Sequence, residues 1–253
     1  MGENLSTSAP DPIVDVLPAG NDFDVAAAEA VATVIATAIE DRGQCLIALS
    51  GGNTPRGAYR KLGDLLTTRM VDLSRVHLIF VDERMVPPDD PESNYRMVRR
   101  ELISRVSPQI HVYRIRGEIE ALEAARDYET ELEPVMKGFE GRCDLIVLGV
   151  GEDGHTASLF PGTDVVRERR SKVRAVFVPR LASWRVTLTL PVITSARTVL
   201  FLVSGQRKAA IIGNIFAGDV PREDLPASLV HPESGTLTWM LDAEAASELP
   251  SEV

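Results

Sequence analysis

The chain is poor in cysteine, poor in histidine and short of positive charge, and each shortage narrows what it can do. Its 253 residues hold two cysteines, Cys45 and Cys143, too few for the disulfide framework of a small secreted domain. Each stands beside an apolar run (Leu46–Leu49 and Leu145–Leu148) without metal-ligand spacing, and so reads as a small buried hydrophobe. Lys and Arg number 27 against 37 Asp and Glu, a formal net charge of −10. Such a surface opposes broad binding to nucleic acid or to an anionic membrane. No run of about 18 apolar residues is present, so no segment is expected to span a bilayer. Met1–Pro12 is polar, with neither the basic start nor the apolar core of a signal peptide. The expectation is a cytoplasmic protein without nucleic-acid or membrane partners, a monomer or a small homo-oligomer.

What is present is a globular composition, 44% apolar and 25% charged, in a chain long enough to bury a large core. No internal repeat or linker interrupts it. A single domain over 1–253 is expected, with about 1–18 as an N-terminal extension and first strand. Helical and strand-like segments alternate. Asp22–Glu40 is an Ala-rich helix that Asp22 would cap. Cys45–Leu49 is a strand; Gly51 and Gly52 break it, and Pro55 opens a helix over Arg56–Leu66. Val76–Val81 is a strand, Asp82–Pro91 a polar loop, and Ser93 starts a helix to about Leu102. Glu118–Met136 is helical. Asp144–Leu148 reads as a strand buried on both faces. A short helix is expected at His155–Leu159, strands at Val173–Val178, Arg185–Leu190 and Thr198–Val203, and helices at Gln206–Phe216 and Thr236–Ala246. Strands separated by helices imply an α/β fold with a mostly parallel sheet flanked by helices.

In such sheets ligands bind at the carboxyl ends of the strands, and three loops there carry chemistry. Ser50, Gly51, Gly52, Asn53 and Thr54 join a strand to a helix N-terminus. That arrangement would cradle a phosphate, although a plain turn capped by Thr54 has the same sequence. No Gly-Lys-Ser/Thr follows, so it is not a Walker A loop. Asp82, Glu83 and Arg84 close the next strand. Arg84 would clamp a phosphate and Asp82 or Glu83 would orient it or meet sugar hydroxyls, unless they form a surface ion pair. The third loop, Gly149–Gly162, contains G-x-G-x-x-G. Glu152 and Asp153 would place negative charge where a pyrophosphate should sit, which disfavours a nicotinamide enzyme. Of four histidines, His155 alone lies in a Gly-rich loop at the catalytic edge, where it would serve as a base with Asp153 or Glu152 holding its tautomer. Ser158 lacks a G-x-S-x-G setting, and no zinc pattern is present. Arg185 at a strand start and Lys208 at a helix start complete a set suited to a small anion, or are solvated basic residues.

These stretches resemble the 6-phosphogluconolactonase family. The match runs through IALSGGNTP (Ile47–Pro55), FVDER (Phe80–Arg84), SNYRMV (Ser93–Val98), LGVGEDGHTASLFPG (Leu148–Gly162), RVTLTLPVI (Arg185–Ile193) and SGQRKA (Ser204–Ala209), in order and over nearly the whole chain. The resemblance implies a modified Rossmann-like fold and cofactor-free, metal-free hydrolysis of 6-phospho-D-glucono-1,5-lactone. It implies that phosphate meets Ser50–Thr54, Arg84 and Lys208, and that His155 activates water. Backbone N–H groups near Gly151–His155, or Arg185, would stabilise the oxyanion. Glucosamine-6-phosphate deaminases are similar, but carry a glutamate where this chain has Phe160 and an aromatic residue where it has Arg84. A deaminase-like enzyme and a non-catalytic sugar-phosphate sensor are the alternatives.

Overall fold

The computed structural model describes residues 11–106 and 108–251; residues 1–10 of the polar N-terminal stretch lie outside them. Among the described residues a seven-stranded parallel sheet forms the centre. In chain order its strands are β1 (Ile13–Leu17), β2 (Cys45–Leu49), β3 (Val76–Phe80), β5 (His111–Tyr113), β6 (Leu145–Leu148), β9 (Thr198–Val203) and β10 (Thr236–Asp242). Their spatial order is β1-β10-β9-β6-β2-β3-β5. Every residue of β2 and β6 is buried, because strands covered on both faces need apolar side chains at every position. Both cysteines are free and buried beside these strands. The main helices are α1 (Asn21–Arg42), α2 (Pro55–Thr68), α3 (Asn94–Glu101), α4 (Ala121–Gly138), α5 (Leu190–Thr194) and α6 (Ala209–Ala217). None is long and apolar enough to cross a membrane. A small antiparallel sheet, β4-β8-β7, is built from Asp82–Arg84, Ser183–Leu188 and Val173–Val178. One apolar cluster runs through both sheets.

Four local expectations are corrected. Thr236–Ala246 is not a helix; its first seven residues are strand β10, paired in parallel with both β1 and β9. Apolar residues at 237 and 239–241 suit either period, and the free edge of β9 decides for the strand. There Trp239 stacks on Phe201 at 3.9 Å between centroids. The start of the polar loop, Asp82–Arg84, is strand β4, because it pairs antiparallel with β8. His155–Leu159 is not a helix: Ala157 has φ 52° and Thr156 bridges back to Leu159. Asp22 does not cap α1, whose N-cap is Gly20; it lies in the first turn, where its charge favours the positive end of the helix dipole. Ser93, by contrast, caps α3 as expected, accepting the Arg96 N–H at 3.1 Å.

The end of β3 matters for the loop it feeds. β5 stops opposite Ile79, so the outward N–H and C=O of Phe80 have no strand to meet. Tyr128 of α4 fills the gap: its buried hydroxyl accepts from the Phe80 N–H at 2.7 Å and donates to the Phe80 carbonyl at 3.0 Å. Tyr128→Phe keeps the ring and orphans both groups. The expected cost is about 1–3 kcal/mol, read as a lower urea midpoint at unchanged slope.

Candidate active site

The strand order reverses between neighbours β2 and β6, the position where an open α/β sheet leaves a crevice. A cleft of about 550 Å³ lies there. Its walls are the residues that follow β2 (Ser50–Thr54), β3 (Asp82, Arg84), β6 (Gly149–Gly151, His155) and β9 (Ser204, Arg207, Lys208). One edge therefore gathers nearly every residue singled out from the sequence.

The loop after β2 leaves its backbone open to the cleft. A Cβ on Gly51 would stand 1.8 Å from Asn94 Oδ1 and Gly52 has φ +100°, so glycine is required at both. Thr54 does not cap α2 through its side chain; its hydroxyl instead accepts from Ser204 Oγ at 3.2 Å. The first amides of α2 are left without a side-chain cap, an arrangement that favours a bound anion. The buried Ser50 hydroxyl lines the same cleft and has no hydrogen-bond partner. Lys208 faces the cradle, half-buried. Burial lowers its pKa, the Glu152 carboxylate opposes that shift, and Arg207 adds to it.

The Asp82–Arg84 strand divides its labour. Asp82 is buried at the cleft wall and accepts from Ser158 Oγ at 2.6 Å and Asn94 Nδ2 at 3.2 Å. Glu83 faces away: it accepts from the N–H groups of Arg84, Asn94 and Tyr95 and from the Ser93 hydroxyl. Burial raises its pKa, and those four donors hold the shift back. Glu83 thus anchors the start of α3, and Asp82 is the carboxylate that reaches the cleft. Arg84 lines the cleft and donates to the Glu92 carbonyl at 2.5 Å. Arg185 pairs across from Arg84 on β8 but lies outside the cleft lining, where its guanidinium donates to Ser183 Oγ at 2.6 Å. Its pKa is lowered by burial and by Arg84.

The third loop holds His155 by a ring stack, a close glycine and a carboxylate. The ring stacks on Phe160 at 4.1 Å between centroids. It also lies close to Gly151, where an added Cβ would come within 2.0 Å of Nδ1. Nδ1 meets Asp153 Oδ1 at 2.5 Å, and Asp153 Oδ2 pairs with Arg180 at 2.7 Å. Burial would raise the Asp153 pKa, but the hydrogen bond and charge of His155, with Arg180 behind them, bring it below the usual carboxylate value. An ionised carboxylate only accepts, so Nδ1 is the nitrogen that donates to Asp153, and Nε2 is the one that carries the lone pair in the neutral ring. Three backbone donors are spent inside the loop: Gly151 N–H on the His155 carbonyl, Gly154 N–H on the Gly151 carbonyl, and His155 N–H on Asp153. None of these three is free for an oxyanion. Ser158 is held by Asp82 and is not poised as a nucleophile.

Sequence reasoning missed Asn94, Ser204 and Arg180. Asn94 stands in a motif that it quoted, and its role follows only from the side-chain space that Gly51 leaves open. Arg180 gives no sequence signal, because it reaches Asp153 from a turn between β7 and β8.

An anion cradle at a helix N-terminus, facing a carboxylate-held histidine across a switch-point cleft, defines an α/β protein built for a small phosphorylated ligand. A family model, glucosamine-6-phosphate isomerases/6-phosphogluconolactonase, matches residues 20–239. The 6-phosphogluconolactonase of Homo sapiens is 38% identical over 245 residues, covering 94% of this chain and 95% of the human one. The solved 6-phosphogluconolactonase from Trypanosoma cruzi superposes with TM-score 0.83 at 28% identity, over 96% of this chain and 98% of that one. A monomeric glucosamine-6-phosphate deaminase superposes with TM-score 0.78 at 25% identity, over 93% of this chain and 99% of its own. The chain belongs to the glucosamine-6-phosphate isomerase/6-phosphogluconolactonase family.

A Cβ at Gly151 would overlap His155 Nδ1 and crowd Asp153 Oδ1, so Gly151→Ala is expected to displace the imidazole. The His155 ring-proton resonances should then differ from those of wild type in NMR spectra while the fold is kept.

Proposed function

We infer that the chain is a single-domain lactone hydrolase that converts 6-phospho-D-glucono-1,5-lactone to 6-phospho-D-gluconate, a step of the oxidative pentose phosphate pathway. The observation that carries this reading is the Phe160 ring stacked on His155. It stands where the similar deaminases place a glutamate, so the histidine here has an apolar neighbour at the position where they carry an acid. Hydrolysis needs only one base beside an anchored ester.

The substrate phosphate docks on Ser50, Gly51, Gly52, Asn53 and Thr54, with Lys208 and Arg84 supplying positive charge. Asp82 sits beside the sugar, and Gly151 leaves room for the imidazole. Anchoring the far end of the substrate fixes the lactone carbonyl near His155, which replaces a bimolecular encounter with a positioned one. Nε2 of His155 takes a proton from water as the water oxygen bonds to C1. The tetrahedral intermediate then breaks its C1–O5 bond, and the imidazolium returns the proton to O5. The product acid loses its proton to solvent. Asp153 keeps Nδ1 protonated throughout and balances the transient imidazolium.

His155→Ala should lower kcat about 10²–10⁴-fold and leave 6-phosphogluconate binding nearly intact. The lactone is generated in situ by glucose-6-phosphate dehydrogenase, the acid is read with 6-phosphogluconate dehydrogenase, and spontaneous opening is subtracted. Binding that collapsed with the histidine would make His155 a ligand and not the base. A wild type that binds without accelerating hydrolysis would be a sensor, and one that releases ammonia from glucosamine 6-phosphate would be a deaminase. Lys208→Met, in the same assay, should raise KM about 10-fold or more with little change in kcat.

A further inference from the structure

Arg180 belongs to none of the loops at the carboxyl edge of the large sheet. It sits in the 3₁₀ turn Pro179–Leu181 that links β7 to β8, half-exposed and outside the cleft lining. Yet it touches both groups that hold the histidine. Its Nη2 is 2.7 Å from Asp153 Oδ2, the oxygen that His155 does not use, and its Cζ lies 5.0 Å from the centroid of Phe160, the ring on which His155 stacks. An exposed Arg–carboxylate pair contributes little by itself. Here the carboxylate is partly buried and already engaged at its other oxygen, so fixing Oδ2 also fixes the direction in which Oδ1 faces Nδ1. The guanidinium over Phe160 adds a cation–π contact that holds the ring from outside.

We propose that Arg180 is a positioning residue, which acts through Asp153 and Phe160 to lock the His155 ring with Nδ1 protonated and Nε2 presented to the cleft. The proposal rests on the lactonase reading for its kinetic consequence, but its geometric consequence stands apart from any activity. Without Arg180 the Asp153 carboxyl can rotate, and the imidazole loses the partner that selects its tautomer. Partners that orient a functional histidine from behind typically matter by about 10–100-fold.

The test compares wild type, Arg180→Met, Arg180→Gln and Arg180→Lys by steady-state lactone hydrolysis, by 6-phosphogluconate titration, and by long-range ¹H–¹⁵N NMR of labelled histidine. The last experiment reads the His155 tautomer with or without turnover. In Arg180→Met and Arg180→Gln, kcat should fall about 10-fold or more with KM and product affinity unchanged. The ¹⁵N pattern should pass from one tautomer to a mixture. Arg180→Lys, which keeps the charge and loses the planar fork, should recover part of both. A kcat and tautomer unaffected by Arg180→Gln in an active wild type would overturn the proposal. So would a rise in KM at constant kcat, which would make Arg180 a substrate ligand. If wild type does not hydrolyse the lactone, the functional reading falls, and the NMR comparison still decides whether Arg180 sets the ring.

Discussion

The site depends on one buried carboxylate. Asp82 follows β3 and is almost removed from solvent, a costly position for a charge unless its oxygens are satisfied. They are satisfied by two different loops: Ser158 Oγ from the histidine loop at 2.6 Å and Asn94 Nδ2 from the start of α3 at 3.2 Å. Asn94 in turn occupies the space that Gly51 leaves open. Through Asp82 the histidine loop and α3 share one set of hydrogen bonds, and the glycine loop after β2 packs against the same Asn94. The spacing of the first two is therefore fixed by short polar contacts and does not rely on the loops' own stiffness. Tyr128 secures the strand end just before it, and Glu83 just after it ties down α3. Successive residues of one short strand, Asp82 and Glu83, thus face opposite ways, one to the cleft and one to the scaffold, as strand pleating requires.

A protein with net charge −10 can hold a dianion because its positive charges are sorted. Many arginines are engaged by acids away from the site, among them Arg42 with Asp144, Arg60 with Glu101, Arg114 with Glu118 and Arg167 with Glu223. At the cleft Arg84, Arg207 and Lys208 stand beside as many carboxylates, Asp24, Asp82 and Asp242, but form no ion pair with them among the described residues. Arg84 donates to a carbonyl, and Arg207 has only a loose approach to Glu152 at 3.5 Å. The uncapped end of α2 adds its partial positive charge. Surface charge far from the cleft is screened within about 10 Å at ordinary salt, so the local set decides what binds and the net charge does not.

The fold was legible where an apolar run has the length of a strand and clear breaks at its ends. The strands at Cys45–Leu49 and Thr198–Val203, almost wholly buried, have the bounds that their apolar runs suggest, and Val173–Val178 keeps its expected bounds although Arg174 and Phe177 are exposed. β10 was not legible: a seven-residue stretch between two parallel neighbours has no period of its own to distinguish it from a helix, and its partners are far away in sequence. β4 was hidden for the same reason, since three charged residues become a strand only when β8 lies beside them. In the site, the glycines and His155 were legible because close approach of backbone to ligand or ring restricts the residue type locally. Asn94 and Arg180 were not, because each acts across a gap that only the folded chain closes.

Fold alone does not select the reaction in this family, since a deaminase superposes on the chain nearly as well as a lactonase does. What differs is the immediate surroundings of one histidine. His155 stacks on an aromatic ring and lies close to a glycine, with Asp153 at Nδ1. Sugar-ring opening followed by isomerisation moves several protons between carbon and oxygen, and a second acid beside the histidine can serve that traffic. Hydrolysis of an activated ester moves one proton from water to a leaving oxygen, and one imidazole can carry it both ways. A ring in place of the second acid removes a competing charge and packs against the imidazole. On the same scaffold, the choice between the two chemistries comes down to whether the neighbour of the histidine titrates or stacks.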